Sequence, residues 1–311
     1  MKQAIITGFG NAEKISFQEV KTPQPQQNEV LVKVKAAGLN PKDILIRKGK
    51  FKLLTGIKTP QSIGFDFSGI IQDPNNKNYK KGERVFGMLN GMIGRSCAEY
   101  VNVSINELYK MPEEITFEEA AGIPLAGQTA LQAIRDIGQI KKGESICING
   151  ASGGVGTIAI QIAKELGGNV TTISSSKNLS LCKSLGANNC ISYDETIIIN
   201  SKERFDIFFD VFGNYSFEKA KHLLSTGGIY ITTVPSVEII KEQIWNLFRT
   251  KKAKLIVVKS KMSDLRWLAE KLKSGKIKSI VDKIYSFDEI REAQKHIESK
   301  RARGKVILKM E

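Results

Sequence analysis

Histidine is almost missing from this chain: 311 residues hold two, His222 and His296. Cysteine is sparse as well. Cys97, Cys147, Cys182 and Cys190 are scattered, and no two form a Cys-x-x-Cys pair. A zinc site needs three or four such ligands brought together, so the supply of ligands speaks against one. Long apolar runs are absent too. No stretch of about 18 apolar residues occurs, and none is available to span a bilayer. The opening MKQAIITGFG reads as a strand and lacks the apolar core of a signal peptide. Cysteines in apolar strand and helix contexts, as at 147 and 182, read as free thiols in a reducing compartment. A cytoplasmic location is the expectation.

Acid is scarce relative to base: 47 Lys and Arg face 32 Asp and Glu, a formal net charge of +15. The basic residues are spread along the chain. The densest runs, RKGKFK at 47–52 and KRARGK at 300–305, are short, and neither belongs to an aromatic RNA-binding motif. Nucleic acid is therefore not the expected partner. General lysine richness and attraction of an anionic small molecule account for the charge equally well.

What is present is concentrated in residues 145–164, SICINGASGGVGTIAIQIAK. A short apolar strand leads into a glycine-dense turn, and an apolar helix follows. Glycine permits the tight turn and a close approach of backbone to phosphate. The start of the helix offers free N–H groups and a positive dipole end. The spacing Ala151-x-Gly153-x-x-Gly156 is the dinucleotide fingerprint with Ala for its first glycine. Gly153, Gly154, Val155 and Gly156 are the candidates to hold a pyrophosphate.

The next strand, NVTTIS at 169–174, ends without the acid that would grip the ribose hydroxyls of NAD. Residues 174–178 are Ser, Ser, Ser, Lys and Asn. Hydroxyls and a lysine suit a 2′-phosphate dianion, so Ser175 and Lys177 point to NADP(H). The serines also make good helix caps, and both uses are compatible.

The organisation follows from periodicity. Residues 1–115 are strand- and turn-rich, with alternation at 31–38 and a proline-punctuated connector at 20–27. Residues 116–138 read as helix interrupted at 122–124. From 145 a strand–helix rhythm runs through strands at 145–149, 169–174, 189–192, 206–211, 228–233 and 254–259, a doubly wound parallel sheet. A strand at 279–287, a helix at 288–297 and a strand at 305–310 return to the first lobe. The expected division is 1–122, 123–262 and 263–311.

GLNPKD at 38–43, IGFDFSG at 63–69, AAGIPLAGQTA at 120–130, NGASGGVG at 149–156, SLGAN at 184–188 and RARGKVIL at 301–308 resemble, in that order, the medium-chain dehydrogenase/reductases. More narrowly they resemble the zinc-free quinone oxidoreductases and alkenal reductases. The resemblance runs from first strand to last. It implies an α/β fold in which a Rossmann NADP-binding domain is inserted into a β-rich, GroES-like catalytic domain. The zinc-dependent alcohol dehydrogenases of the superfamily carry a Cys where this chain has Asn40, and a Gly-His-Glu where it has Gly64-Phe65-Asp66. Their four-cysteine lobe has no counterpart around 90–97. Without a Lewis acid, oxidation of an unactivated alcohol is difficult. Hydride addition to a quinone or enone is not, because the π-system carries the new charge to a distant oxygen.

By the same resemblance Asn40 lies beside the nicotinamide and is the candidate catalytic residue, or else is a turn residue before Pro41. Thr129 starts a helix facing the cofactor. Tyr193 closes over the 2′-phosphate end, or is an exposed aromatic at a strand end. Phe212 and Gly213 lie against the adenosine ribose or the nicotinamide. Lys300 and Arg303 stand where relatives place a basic residue near the cofactor, or form a solvated basic loop. Leu45 stands where alkenal reductases often carry a cofactor-contacting lysine. No proton donor is identified; Asp43 and Asp66 lie near the site by alignment. Substrate walls are assigned to loops at 51–61, 88–95 and 235–249. In relatives the last strand of the cofactor sheet pairs with a second subunit, and AKLIVVKS at 253–260 is apolar enough to do so, so a homodimer is expected. The expected function is zinc-independent hydride transfer from NADPH to a small quinone or α,β-unsaturated carbonyl. The alternatives are an NADPH-binding protein with little turnover and a basic RNA-binding protein on the same fold.

Overall fold

The structure is a computed structural model that describes residues 1–75 and 77–310. Two compact units divide the chain: residues 1–128 with 259–311, and residues 129–258. The expected divisions after residues 122 and 262 stand beside observed ones after 128 and 258.

The first unit opens with strands β1 (Lys2–Ile6), β2 (Ile15–Glu19) and β3 (Glu29–Leu39), then helices α1 (Pro41–Arg47) and α2 (Lys52–Thr55). Strands β4 (Gln61–Ser62), β5 (Asp66–Asp73), β6 (Arg84–Met88), β7 (Tyr100–Ser104) and β8 (Leu108–Lys110) follow, and helix α3 (Phe117–Ala121) leads to α4 (Pro124–Leu131). The second unit runs through β9 (Ser145–Asn149), α5 (Gly154–Glu165), β10 (Asn169–Ser174), α6 (Leu179–Ser184), β11 (Asn189–Ser192) and β12 (Phe205–Asp210). It continues with α7 (Phe217–Ala220), β13 (Leu224–Thr232), α8 (Val237–Trp245) and β14 (Lys252–Leu255). The chain then rejoins the first unit through α9 (Met262–Lys273), β15 (Val281–Ser286), α10 (Ile290–Glu298) and β16 (Lys305–Lys309).

In the first unit a sheet ordered β15-β16-β3-β5-β6-β8 takes β7 as a further partner of β3, and β2-β1-β4 form a small second sheet. The returning strand β16 pairs antiparallel with β3, Leu308 opposite Ala37. The C-terminal segment thus closes the sheet that the N-terminal segment began. Proline at the first position of α1 costs no hydrogen bond there.

In the second unit six strands lie in the order β11-β10-β9-β12-β13-β14, all parallel. Crossovers leave β9 outward in both directions, which is the doubly wound arrangement the strand–helix rhythm predicts. Its central strands read as continuous apolar runs because both faces are covered; Ile146, Cys147 and Ile148 of β9 are fully buried.

Two expected elements differ. The last strand of this sheet ends at Leu255, not at 259, because its partner β13 ends at Thr232 and no ladder lies beyond that pair. Residues 235–249 are largely helical, not a loop. Ser236 caps α8 by accepting from the Ile239 N–H, and Ile239 alone anchors the inner face. The helical reading of 116–138 holds, with the last turns after Leu131 widened to π-helix over Gln132–Ile137.

Arg47 ties the first unit together. Its guanidinium is fully buried. It donates from Nε to Gln294 Oε1 (2.6 Å), from Nη1 to the Gly10 carbonyl (2.5 Å) and from Nη2 to Glu298 Oε2 (2.6 Å). Removing such a guanidinium strands the buried Gln294 amide oxygen, while Glu298 keeps Lys48. Arg47→Met is expected to cost on the order of 3 kcal/mol and to lower the thermal midpoint by roughly 5–10 °C. Calorimetry checks this, and an unchanged midpoint contradicts it.

Candidate functional site

The glycine turn sits between the end of β9 and the start of α5. Gly150 is left-handed (φ +78°), and a Cβ there would lie 3.0 Å from Phe212 Cβ. Gly156 meets a harder limit. A Cβ on it would stand 2.3 Å from the Gly150 carbonyl oxygen and 2.6 Å from Ala151 Cα, so only glycine lets α5 rest on the turn. Gly153 is the opposite case. Its added Cβ would meet only the Gly150 oxygen, at 3.5 Å, and it caps α5 with no side-chain hydrogen bond. Open space therefore lies over uncapped helix N–H groups, where Gly154 and Val155 follow.

The loop after β10 is fastened to this turn. Asn178 Nδ2 donates to Ser152 Oγ (3.0 Å) and to Ser175 Oγ (3.1 Å). Ser175 is half-buried and Lys177 exposed. Tyr193, just beyond β11, is 57% exposed. An acid also reaches this loop, contrary to the reading of β10 alone. Asp194 Oδ2 accepts the Ser176 N–H at 2.8 Å. That bond, with Lys177 nearby, holds the Asp194 carboxyl below its ordinary range.

The loop after β12 is shaped by Asp210, which is fully buried. Its carboxylate accepts from Asn149 Nδ2 (2.7 Å), the Gly213 N–H (2.7 Å), the Tyr215 N–H (3.0 Å) and the Tyr230 hydroxyl (3.0 Å). Burial and this carboxylate push the Tyr230 pKa up. The loop leaves Phe212 49% exposed against Gly150. Gly213 (φ +76°) is held with no room for a side chain, since a Cβ would fall 2.3 Å from Val234 Cγ2. The candidates at 153–156, 175–177 and 212–213 thus gather at the carboxyl ends of β9, β10 and β12, where parallel sheets bind ligands. Thr129 is buried on α4.

In the first unit Asn40 stands in a buried polar cluster. Its Nδ2 donates to the Gly38 carbonyl (3.2 Å) and to Asp66 Oδ2 (3.0 Å). Its Oδ1 accepts from Lys305 Nζ at 2.6 Å. Both amide hydrogens are thereby committed, and Asn40 has no donor left for a bound molecule. Asp66 also takes Lys305 Nζ (3.1 Å) and the Leu125 N–H (2.7 Å). Burial raises its pKa, and these donors oppose the rise. Asp43 accepts from the Asn40 N–H (2.8 Å) and the Gly64 N–H (3.2 Å). Burial pushes it up to about 6, against the pull of these N–H donors and of Lys305. Lys300, left-handed at φ +57°, and Arg303 are exposed, whereas Lys305 in the same basic run is buried. The basic residue that organises this unit is the one the sequence reading passed over.

Histidines are engaged elsewhere. His222 Nε2 lies 2.6 Å from the Ile199 carbonyl, and His296 stands between Asp282 (3.0 Å) and Tyr285 (3.0 Å). Among the described residues no group of three or more His, Cys, Asp or Glu could hold a metal ion.

The family model for the alcohol dehydrogenase GroES-like domain matches residues 26–113, and that for zinc-binding dehydrogenases matches 185–308. A 2-methylene-furan-3-one reductase of Solanum lycopersicum is 33% identical over 99% of this chain and 79% of its own length. A chloroplastic NADPH-dependent alkenal/one oxidoreductase of Arabidopsis thaliana is 30% identical with the same coverage. The quinone oxidoreductase of Coxiella burnetii superposes with a TM-score of 0.91 at 28% identity, covering 100% of this chain and 99% of that one. The chain belongs to the medium-chain dehydrogenase/reductase superfamily, in the branch of quinone oxidoreductases and alkenal reductases.

Asp43 offers a direct check on the buried cluster. Its pKa of about 6 lies above the ordinary 3.8, so the folded state binds the proton more tightly than the unfolded one. Above pH 6 the ionised carboxylate opposes folding by on the order of 3 kcal/mol. That cost disappears as pH falls from 6 towards 4. Carboxyl-carbon NMR should show one aspartate titrating near pH 6, absent in Asp43→Asn. A spectrum with every aspartate titrating below pH 5 contradicts this.

Proposed function

We propose that this chain transfers a hydride from NADPH to a quinone or an α,β-unsaturated carbonyl, with no metal taking part. The observation that carries it is the convergence of two loops on the glycine turn, through Asn178–Ser152 and Phe212–Gly150. The open cradle at Gly153 and the close packing at Gly156 suit a pyrophosphate. Backbone N–H groups of 154–156 would hold it, helped by the dipole of α5. Ser175 and Lys177 would take the 2′-phosphate, with Tyr193 at that end and Phe212 and Gly213 beside the sugar or ring. NADPH, when bound, supplies the hydride. The chain's part is then to orient the acceptor and exclude water. The acceptor's own π-system delocalises the added charge, and water supplies the proton.

The test is NADPH oxidation with quinones, alkenals and simple aldehydes, with and without a chelator. Quinones or alkenals should turn over in both conditions and aldehydes should not. Tight NADPH binding with no turnover of any acceptor overturns the enzymatic reading. Lys177→Ala should weaken NADPH by roughly ten- to a hundredfold, the loss of one charged hydrogen bond, and leave NADH nearly unchanged. Equal losses for both cofactors contradict the assignment.

The same reading includes a homodimer through the free edge of β14, the end of the sheet. Val237, Ile240 and Ile244 are exposed on α8, which packs against that strand, and they add apolar surface there. Sedimentation at micromolar concentration should give twice the chain mass; a monomer contradicts it.

A further inference from the structure

We propose that Asp194 sets the balance between the two nicotinamide cofactors, by placing a negative charge beside the Ser175 and Lys177 groups that would take a 2′-phosphate. The proposal rests on the cofactor reading above and adds to it a residue that opposes NADPH.

β10 and β11 are parallel neighbours in the register Ser174 opposite Ser192. Just past the strand ends the Tyr193 N–H donates to the Ser174 carbonyl at 3.0 Å, so an acid that follows β11 arrives beside the loop of β10. Asp194 is held there by three contacts. Its Oδ2 accepts from the Ser176 N–H at 2.8 Å and lies 3.5 Å from Ser192 Oγ, and its own N–H donates to that Oγ at 3.2 Å. Residues 176–178 form a single 3-10 turn that runs directly into α6. The Ser176 N–H leads that turn. In this chain a carboxylate already holds it.

The charges around the loop decide the direction of the effect. Lys177 attracts a phosphate dianion and also attracts Asp194, whose carboxyl is kept ionised by Ser176 and Lys177. A dianion docking on Ser175 and Lys177 approaches Asp194 as a like charge, competes for Ser176, and shares the lysine with it. NADH carries only hydroxyls at the same place. It meets no repulsion and finds an acceptor nearby. Asp194 therefore narrows the preference for NADPH that Lys177 creates. Discrimination by a repulsive element beside an attractive one is a general route to tuned specificity.

Asp194→Asn removes the charge and keeps an oxygen for the Ser176 N–H, so the loop retains its anchor. Asp194→Glu keeps the charge. Titration of NADPH and NADH into wild type, both variants and Lys177→Ala, at low salt, tests the proposal. Asp194→Asn should bind NADPH about tenfold more tightly, NADH should stay within about twofold, and Asp194→Glu should match wild type. The gain should shrink in about 0.5 M salt, where fixed charges are screened. Unchanged or weaker NADPH binding in Asp194→Asn, or an equal change for NADH, overturns the proposal. If Lys177→Ala costs NADPH alone while Asp194→Asn gains nothing, this inference fails and the cofactor reading stands. If Lys177→Ala costs both cofactors equally, the cofactor reading itself fails.

Discussion

The contact between Gly156 and the backbone of Gly150 and Ala151 is the constraint on which the second unit depends. At 2.3 Å there is no space for even a methyl group on Gly156, and the two backbones meet directly. That contact aims the axis of α5 at the turn and fixes where its unpaired N–H groups emerge. Every other loop at this end of the sheet is then positioned by what it touches. Asn178 reaches the turn from β10, and Phe212 reaches it from β12. A larger residue at 156 would displace the helix and with it the frame of the site.

Two buried carboxylates do the remaining work, and they are stabilised differently. Asp66 has an ammonium within contact and pairs with Lys305. Asp210 is surrounded by an amide, two backbone N–H groups and a tyrosine hydroxyl. A carboxylate given several well-placed donors tolerates burial without a counter-ion. The arrangement at Asp210 converts one charge into a rigid loop from Val211 to Tyr215. The arrangement at Asp66 instead joins three segments far apart in sequence: Asn40, the start of α4 and the last strand.

The parts of the fold that sequence made legible are those ruled by local periodicity. Strands β9, β10 and β11 and helix α5 follow from apolar runs and glycine spacing within single windows. What was illegible depends on contacts between windows. The residues of β10 alone do not reveal Asp194, because parallel pairing brings that acid in from β11. Lys305 was passed over for Lys300 and Arg303, since nothing local distinguishes a buried lysine from solvated neighbours. Helix α8 read as a loop because it buries little more than Ile239, so its apolar residues show no single inward face. Asn40 was placed by resemblance, but its hydrogen bonds were fixed by Lys305, 265 residues away.

That last relation bears on chemistry. In an amide whose hydrogens go to Gly38 and Asp66, the polarity of the side chain is set by the protein and not by a ligand. Reversing the amide would set its NH2 group against the Lys305 ammonium and its oxygen against the Asp66 carboxylate, both unfavourable. The contacts therefore hold the Asn40 amide in one orientation, so its polarity is preset by Gly38, Asp66 and Lys305. The two histidines are likewise held by their neighbours, His222 at the Ile199 carbonyl and His296 between Asp282 and Tyr285.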